Sequence, residues 1–112
     1  MRPRKQILLV CDDEFRSAEL RLVIETRMAC RVTIANGLAI PVAVNAQDFH
    51  CAVLTHSDVE VIDFLRRREV PTLEIGVGPS YADRVVSGSM MEVIEAIRLM
   101  CVRKRGPRKQ AA

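Results

Sequence analysis

The 112-residue chain has no apolar run approaching the roughly 18 residues that a membrane span requires,. Its basic start, Arg2-Pro3-Arg4-Lys5, precedes only the short apolar stretch Ile7 to Cys11, which runs straight into acids. That is too short for a secretory signal, and a cytoplasmic protein is expected. No two of its four cysteines (Cys11, Cys30, Cys51 and Cys101) stand in the close pairs that structural zinc needs,. Each lies in or beside an apolar segment, where cysteine behaves as a small hydrophobe, so a reduced chain is expected. There is no internal repeat and no second domain. With 49% hydrophobic and 28% charged residues, the composition is that of an ordinary globular domain with one core of two or three layers,.

What the chain does have is an acidic pair in an informative place. Asp12 and Asp13 directly follow the apolar run Ile7-Leu8-Leu9-Val10-Cys11 and precede a helical pattern. Such a run reads as a buried parallel strand delivering two carboxylates to its C-terminal edge. In open α/β sheets that edge is where ligands bind. Two adjacent carboxylates repel, and a divalent cation such as Mg²⁺ offsets the repulsion with hard oxygen ligation. The plainer alternative is that one aspartate caps the helix and the other is solvated.

Strand-like and helix-like segments alternate throughout. Residues 6–11 read as a first strand and 15–28 as a first helix, with Phe15, Ala18, Leu22 and Leu20, Ile24, Met28 at helical spacings,. The β-branched stretch 31–35 is a second strand, Asn36-Gly37 a turn, and the alanine-rich 38–47 a helix with Pro41 in its first turn. Residues 51–55 form the third strand. Ser57-Asp58-Val59-Glu60 matches a capping box opening a helix to about residue 69, with Val61, Ile62 and Leu65 inward. Residues 72–77 form the fourth strand, Gly78-Pro79-Ser80 a loop, and 84–87 a short fifth strand. A second capping box, Ser89 to Glu92, opens the last helix, whose inward stripe is Met90, Val93/Ile94, Ile97 and Met100/Cys101. Gly106-Pro107 ends it. This alternation predicts right-handed crossovers and a parallel sheet.

The stretch Ile7-Leu8-Leu9-Val10-Cys11-Asp12-Asp13-Glu14 resembles the first strand and Mg²⁺-binding acidic pair of the receiver domain of two-component response regulators. Ala35-Asn36-Gly37 resembles the turn after that family's second strand, and the spacing from Asn36 to Thr55 matches its phosphoacceptor distance. The resemblance covers most of residues 6–103. It implies a three-layer, doubly wound, five-stranded parallel sheet of the flavodoxin-like kind, with a receiver-like domain at 1–103 and a disordered basic tail at 104–112.

The family's chemistry is missing. Thr55 stands at the phosphoacceptor position, and a hydroxyl without an activating base cannot replace a carboxylate that forms an acyl phosphate. Gly76 stands where a switch hydroxyl belongs, and Ser87, followed by Gly88, replaces the lysine that pairs with phosphate. Only residues 78–83 separate the fourth and fifth strands, whereas a parallel crossover through a helix needs a dozen or more. The family's fourth helix is therefore expected to be absent. Thr72, Glu74 and Gly76 alternate with Leu73, Ile75 and Val77, so one face of the fourth strand is expected to be wet.

The expectation is a degenerate receiver acting as a phosphorylation-independent protein-interaction module in two-component signalling, without catalysis and with no cofactor beyond weak Mg²⁺ binding at Asp12 and Asp13. Its partner would be another protein or a second copy, joined through Val85 or Val86 beside the missing helix, with neither membrane nor specific nucleic acid involved. Two alternatives use other residues. Cys11 at the end of the first strand resembles the nucleophile of phosphotransferase-system B components and small tyrosine phosphatases, but three neighbouring acids would repel a phosphoryl group. The basic tail, Arg103 to Lys109, would give only salt-sensitive, nonspecific contact with nucleic acid. Asp58 is a conceivable residual phosphoacceptor, although a first-turn acid also suits the helix dipole. His50 and His56 are too far apart in sequence for a local ligand pair.

Overall fold

The structure, a computed structural model, describes residues 4–76 and 80–103. The basic tail, the Gly78-Pro79 turn and the helix stop at Gly106-Pro107 lie outside the described residues. The elements follow in the order β1 (Lys5–Val10), α1 (Glu14–Arg27), β2 (Cys30–Ile34), α2 (Ala39–Ala46), β3 (Cys51–Leu54), α3 (Val59–Arg67), β4 (Thr72–Ile75), β5 (Arg84–Val86) and α4 (Met90–Arg103). All strands pair in parallel, in the order β2-β1-β3-β4-β5. This is the flavodoxin-like order, whose direction reverses between β1 and β3.

Alternation along the central strands divides the core into two layers. Ile7, Leu9 and Cys11 of the β1 segment, with Cys51 and Val53 of β3, pack with Leu20 and Ile24 of α1 and with Val93, Ile97 and Cys101 of α4. Leu8, Val10, Ala52 and Leu54 point the other way, onto Ile40 of α2 and Ile62 and Leu65 of α3. All four cysteines are buried in the first layer.

Helix α1 cannot turn both of its apolar stripes inward. Ile24 and Phe15 are nine residues apart, which places them about 180° apart around a helix. Ser17, Leu20 and Ile24 are buried, whereas Phe15 and Leu22 face solvent. The cap of α3 also differs from expectation by one residue. Asp58, not Ser57, is the N-cap, and its Oδ1 accepts the Val61 N–H at 3.2 Å. In α4, Glu92 reaches back past Ser89 to Ser87, so neither capping box closes in its usual form.

The fourth strand is not wet on either face. Thr72 is fully buried and Glu74 is 7% exposed. Residues 76–83 link β4 to β5 with no helix among the described residues, as expected. The segment from Ser80 to Asp83 covers β4 in the helix's place, and it does so with polar contacts. The Asp83 carboxylate accepts the Thr72 N–H at 2.8 Å and its hydroxyl at 3.1 Å, while the Asp83 N–H donates to that hydroxyl oxygen at 3.0 Å. The Ser80 hydroxyl donates to the Glu74 carboxylate and accepts the Ala82 N–H at 3.0 Å. Arg66 of α3 donates to the Tyr81 carbonyl and lies 3.4 Å from the Asp83 carboxylate. Ala82 closes the patch against the α2/α3 layer. The alternation seen in the sequence is real, but its polar residues are satisfied by a strap, not by water.

Candidate functional site

The C-terminal edge of β1 and β3 gathers most of the residues singled out in the sequence. Val10 ends β1, and Cys11 lies 2% exposed behind it. Asp12 is exposed. Asp13 is the N-cap of α1, its Oδ1 accepting the Arg16 N–H at 3.1 Å. One acid of the pair therefore has the capping role and the other faces water. Asn36, in the turn after β2, donates from Nδ2 to the Cys11 carbonyl at 2.6 Å and ties that turn to the loop after β1. Gly37 follows at φ +55, the left-handed conformation that glycine adopts without strain,.

Thr55 sits just beyond β3, half-buried. Its hydroxyl turns back onto the Val10 carbonyl at 3.4 Å, and its N–H donates to the same oxygen at 3.2 Å. The side chain that would carry a phosphoryl group in a receiver is thus an alcohol leaning on the backbone of β1. Gly76, beyond β4, presents no hydroxyl; its N–H donates to the Val86 carbonyl at 2.8 Å. Ser87, beyond β5, donates from its hydroxyl to the Glu92 carboxylate at 2.7 Å. An acid faces the position where a receiver needs a cation. Gly88 has φ +115, and no cis peptide bond occurs among the described residues.

Among the described residues, these groups do not bring three potential metal ligands together. Octahedral Mg²⁺ takes hard oxygens at about 2.1 Å and dehydrates reluctantly. Here Asp13 is engaged as a cap, Thr55 offers no carboxylate, and no group of three metal-ligating acids, histidines or cysteines forms among the described residues. The Cys11 thiol is buried. It belongs to the α1/α4 core layer, and its sulfur lies 3.5 Å from the Asp13 carbonyl, to which it donates. Loops that hold phosphate present N–H groups and positive charge to solvent, whereas this loop presents Asp12, Asp13 and Glu14.

The remaining candidates are separated. His50 precedes β3 and His56 follows it, at opposite edges of the sheet, and the His50 Nδ1 accepts the Gln6 N–H at 3.1 Å. A shallow cleft of about 490 Å³ opens beside His50, lined by Gln47, Asp48, Phe49, Arg68 and Glu69. It lies at the edge away from the switch point. Arg68 donates to the Asn45 side-chain amide oxygen, Oδ1, and lies over the face of Phe64, 4.9 Å from its guanidinium. At the open side of the sheet, Val86 packs into the α1/α4 core, while Val85 stands half-buried beside Glu74. Of the two valines, Val85 is the one on the strap side. The Asn36 tie and the Asp83 bracket escaped the sequence, because a lone amide or carboxylate in a loop gives no periodic signal.

No family model matches the chain, and no curated protein matches it in sequence. Solved structures do match in fold. The crystal structure of HP1043, an orphan response regulator of H. pylori, superposes with a TM-score of 0.66 at 13% identity, over 88% of this chain and 99% of that one. The solution structure of SdrG from Sphingomonas melonis Fr1 superposes with a TM-score of 0.64 at 21% identity, over 89% and 98%. The chain is a receiver-like domain in fold, with the receiver's fourth helix replaced by a strap.

Proposed function

We propose that this receiver-like domain works in two-component signalling as a protein-interaction module independent of aspartyl phosphorylation. The observation that carries this is Thr55, whose hydroxyl is turned onto the Val10 carbonyl at the position of the acceptor carboxylate. Gly76 and the Ser87–Glu92 pair support it, because a phosphoryl group would find neither a switch hydroxyl nor a cation there. The domain catalyses nothing in this reading, holds Mg²⁺ only weakly through Asp12 and Asp13, and acts in the cytoplasm through a protein surface. No described helix is long and apolar enough to cross a membrane.

The test is incubation of the full chain with acetyl phosphate and Mg²⁺, read by intact mass and hydroxylamine sensitivity. No added phosphate is expected. A hydroxylamine-sensitive adduct would overturn the reading, and Asp58→Asn would then be the first variant to make.

A further inference from the structure

We propose that α1 is the surface through which this module pairs with a second copy of itself, antiparallel, with the helices crossing at Ala18. The proposal supplies a partner for the module and does not depend on whether any aspartate is phosphorylated.

The observation is an apolar stripe on the wrong side of the helix. Phe15 is 89% and Leu22 67% exposed, although each is a large hydrophobe on a regular helix. Seven residues apart, they lie almost on one line, with the exposed Ala18 between them,. The helix's buried residues, Ser17, Leu20 and Ile24, occupy the opposite face, so no rotation of the helix buries both faces, and Phe15 stays uncovered among the described residues. Exposed apolar residues aligned in this way mark an interaction surface more often than singly scattered ones.

The charges say what covers it. Glu14 and Arg21, also seven apart, flank the stripe on one side, and Arg16 and Glu19 flank it on the other; all four are exposed. Pair two such helices about a two-fold axis at Ala18, and each flank meets its own copy running in reverse. Phe15 then comes level with Leu22 of the second copy, Glu14 with Arg21, and Arg16 with Glu19. Each of these pairs is offset by only one residue, about 1.5 Å along the axis. Every contact is apolar with apolar or acid with base, and each occurs twice, as an isologous interface demands. The small side chain at the crossing point lets the backbones approach. Arg21 already lies 3.8 Å from Glu25 of its own helix. Its guanidinium has five donors, so it can serve both carboxylates.

One helix face covers well under the roughly 800 Å² per partner of a standard interface, so the pair falls in the weak, transient class and calls for a wide range of high concentrations. Sedimentation equilibrium of the full chain, from about ten micromolar to about one millimolar, spans that range. The mean mass is expected to climb toward that of a dimer. Phe15→Asp and Leu22→Asp should each hold the chain monomeric throughout, with unchanged circular dichroism because both sites are exposed. Glu14→Arg or Arg21→Glu should weaken pairing at least several-fold, and the double variant should restore it. Val85→Asp should leave it intact. A wild type that stays monomeric at every concentration would overturn the proposal. So would association that survives Leu22→Asp, is lost with Val85→Asp, or is not recovered by the charge swap.

Discussion

Asp83 shows how much one loop carboxylate can hold. Thr72 is fully buried, and both its N–H and its hydroxyl are satisfied by the Asp83 side chain. Removing that acceptor leaves two buried donors unpaired, at a cost of about 1–3 kcal/mol. Asp83→Ala should therefore lower the unfolding free energy obtained from urea titration by that amount, through an earlier midpoint with little change in slope, while Asp83→Asn, which keeps one oxygen, should lose less. An Asp83→Ala variant as stable as wild type would mean that the strap contributes nothing. Cys30 makes a second case at this scale. Burial, then the charge of Glu25 and the neighbouring Cys101, push its thiol up to about 11, against a small opposing effect of Arg4. A thiol whose folded value is raised stabilises the fold fully below its ordinary value, and that contribution is lost as pH rises through about 9 to about 11,. Stability measured across this window should fall more steeply for wild type than for Cys30→Ala. At neutral pH the same residue should resist thiol reagents until the chain is unfolded.

At the scale of elements, helix ends account for most of the differences between sequence pattern and structure. Ser57 and Ser89 both fit the capping-box spacing, yet Asp58 takes the first cap, because an aspartate one residue on reaches the Val61 N–H equally well. Spacing alone does not choose between adjacent cap-competent residues. The C-terminus of α3 has a motif with no sequence signature at all. The Glu69 N–H donates to the Arg66 carbonyl at 2.9 Å and the Val70 N–H to the Leu65 carbonyl at 2.9 Å. This is a Schellman arrangement, with Val70 buried beside Leu65,. Its left-handed position normally belongs to glycine, but here Glu69 adopts φ 61. Glutamate pays there twice, through the clash of its Cβ and through a negative charge at the negative end of the helix dipole. Glu69→Gly should raise stability by roughly 0.5–1 kcal/mol, after allowing for the extra freedom glycine gives the unfolded chain. Thermal melting checks it, and a destabilised variant would show that the Glu69 side chain makes compensating contacts.

For the molecule as a whole, the order of strands and helices was legible because Ile7 to Val10 of β1 and all of β3 are continuously apolar and the helices between them are amphipathic. The absent fourth helix was legible from chain length alone. The cover over β4 was not: polar alternation in Thr72 and Glu74 signals water unless the partners of those groups are known, and Ser80 and Asp83 are distant loop residues. The site was legible mainly as substitutions, with Thr55, Gly76 and Ser87 falling at the edges where the chemistry of a receiver would be. Their consequence can be measured on the intact fold. Anything that binds the native state raises its stability by RT ln(1 + [L]/Kd), so a site with micromolar affinity would gain more than about 4 kcal/mol in several millimolar Mg²⁺. That is a rise of more than about 15 °C in Tm for a domain of this size. With Asp13 engaged as a cap and Asp12 exposed, a millimolar Kd is expected, and at [Mg²⁺] equal to Kd the gain is only about 0.4 kcal/mol. Melting should therefore shift by no more than about 3 °C, with no further rise when beryllofluoride is added, because Thr55 offers it no carboxylate. Asp12→Asn should abolish even this small shift, and it should leave the magnesium-free protein as stable as wild type or slightly more so by removing repulsion from Asp13. A large beryllofluoride-dependent rise in Tm would show that some other carboxylate at this edge binds it.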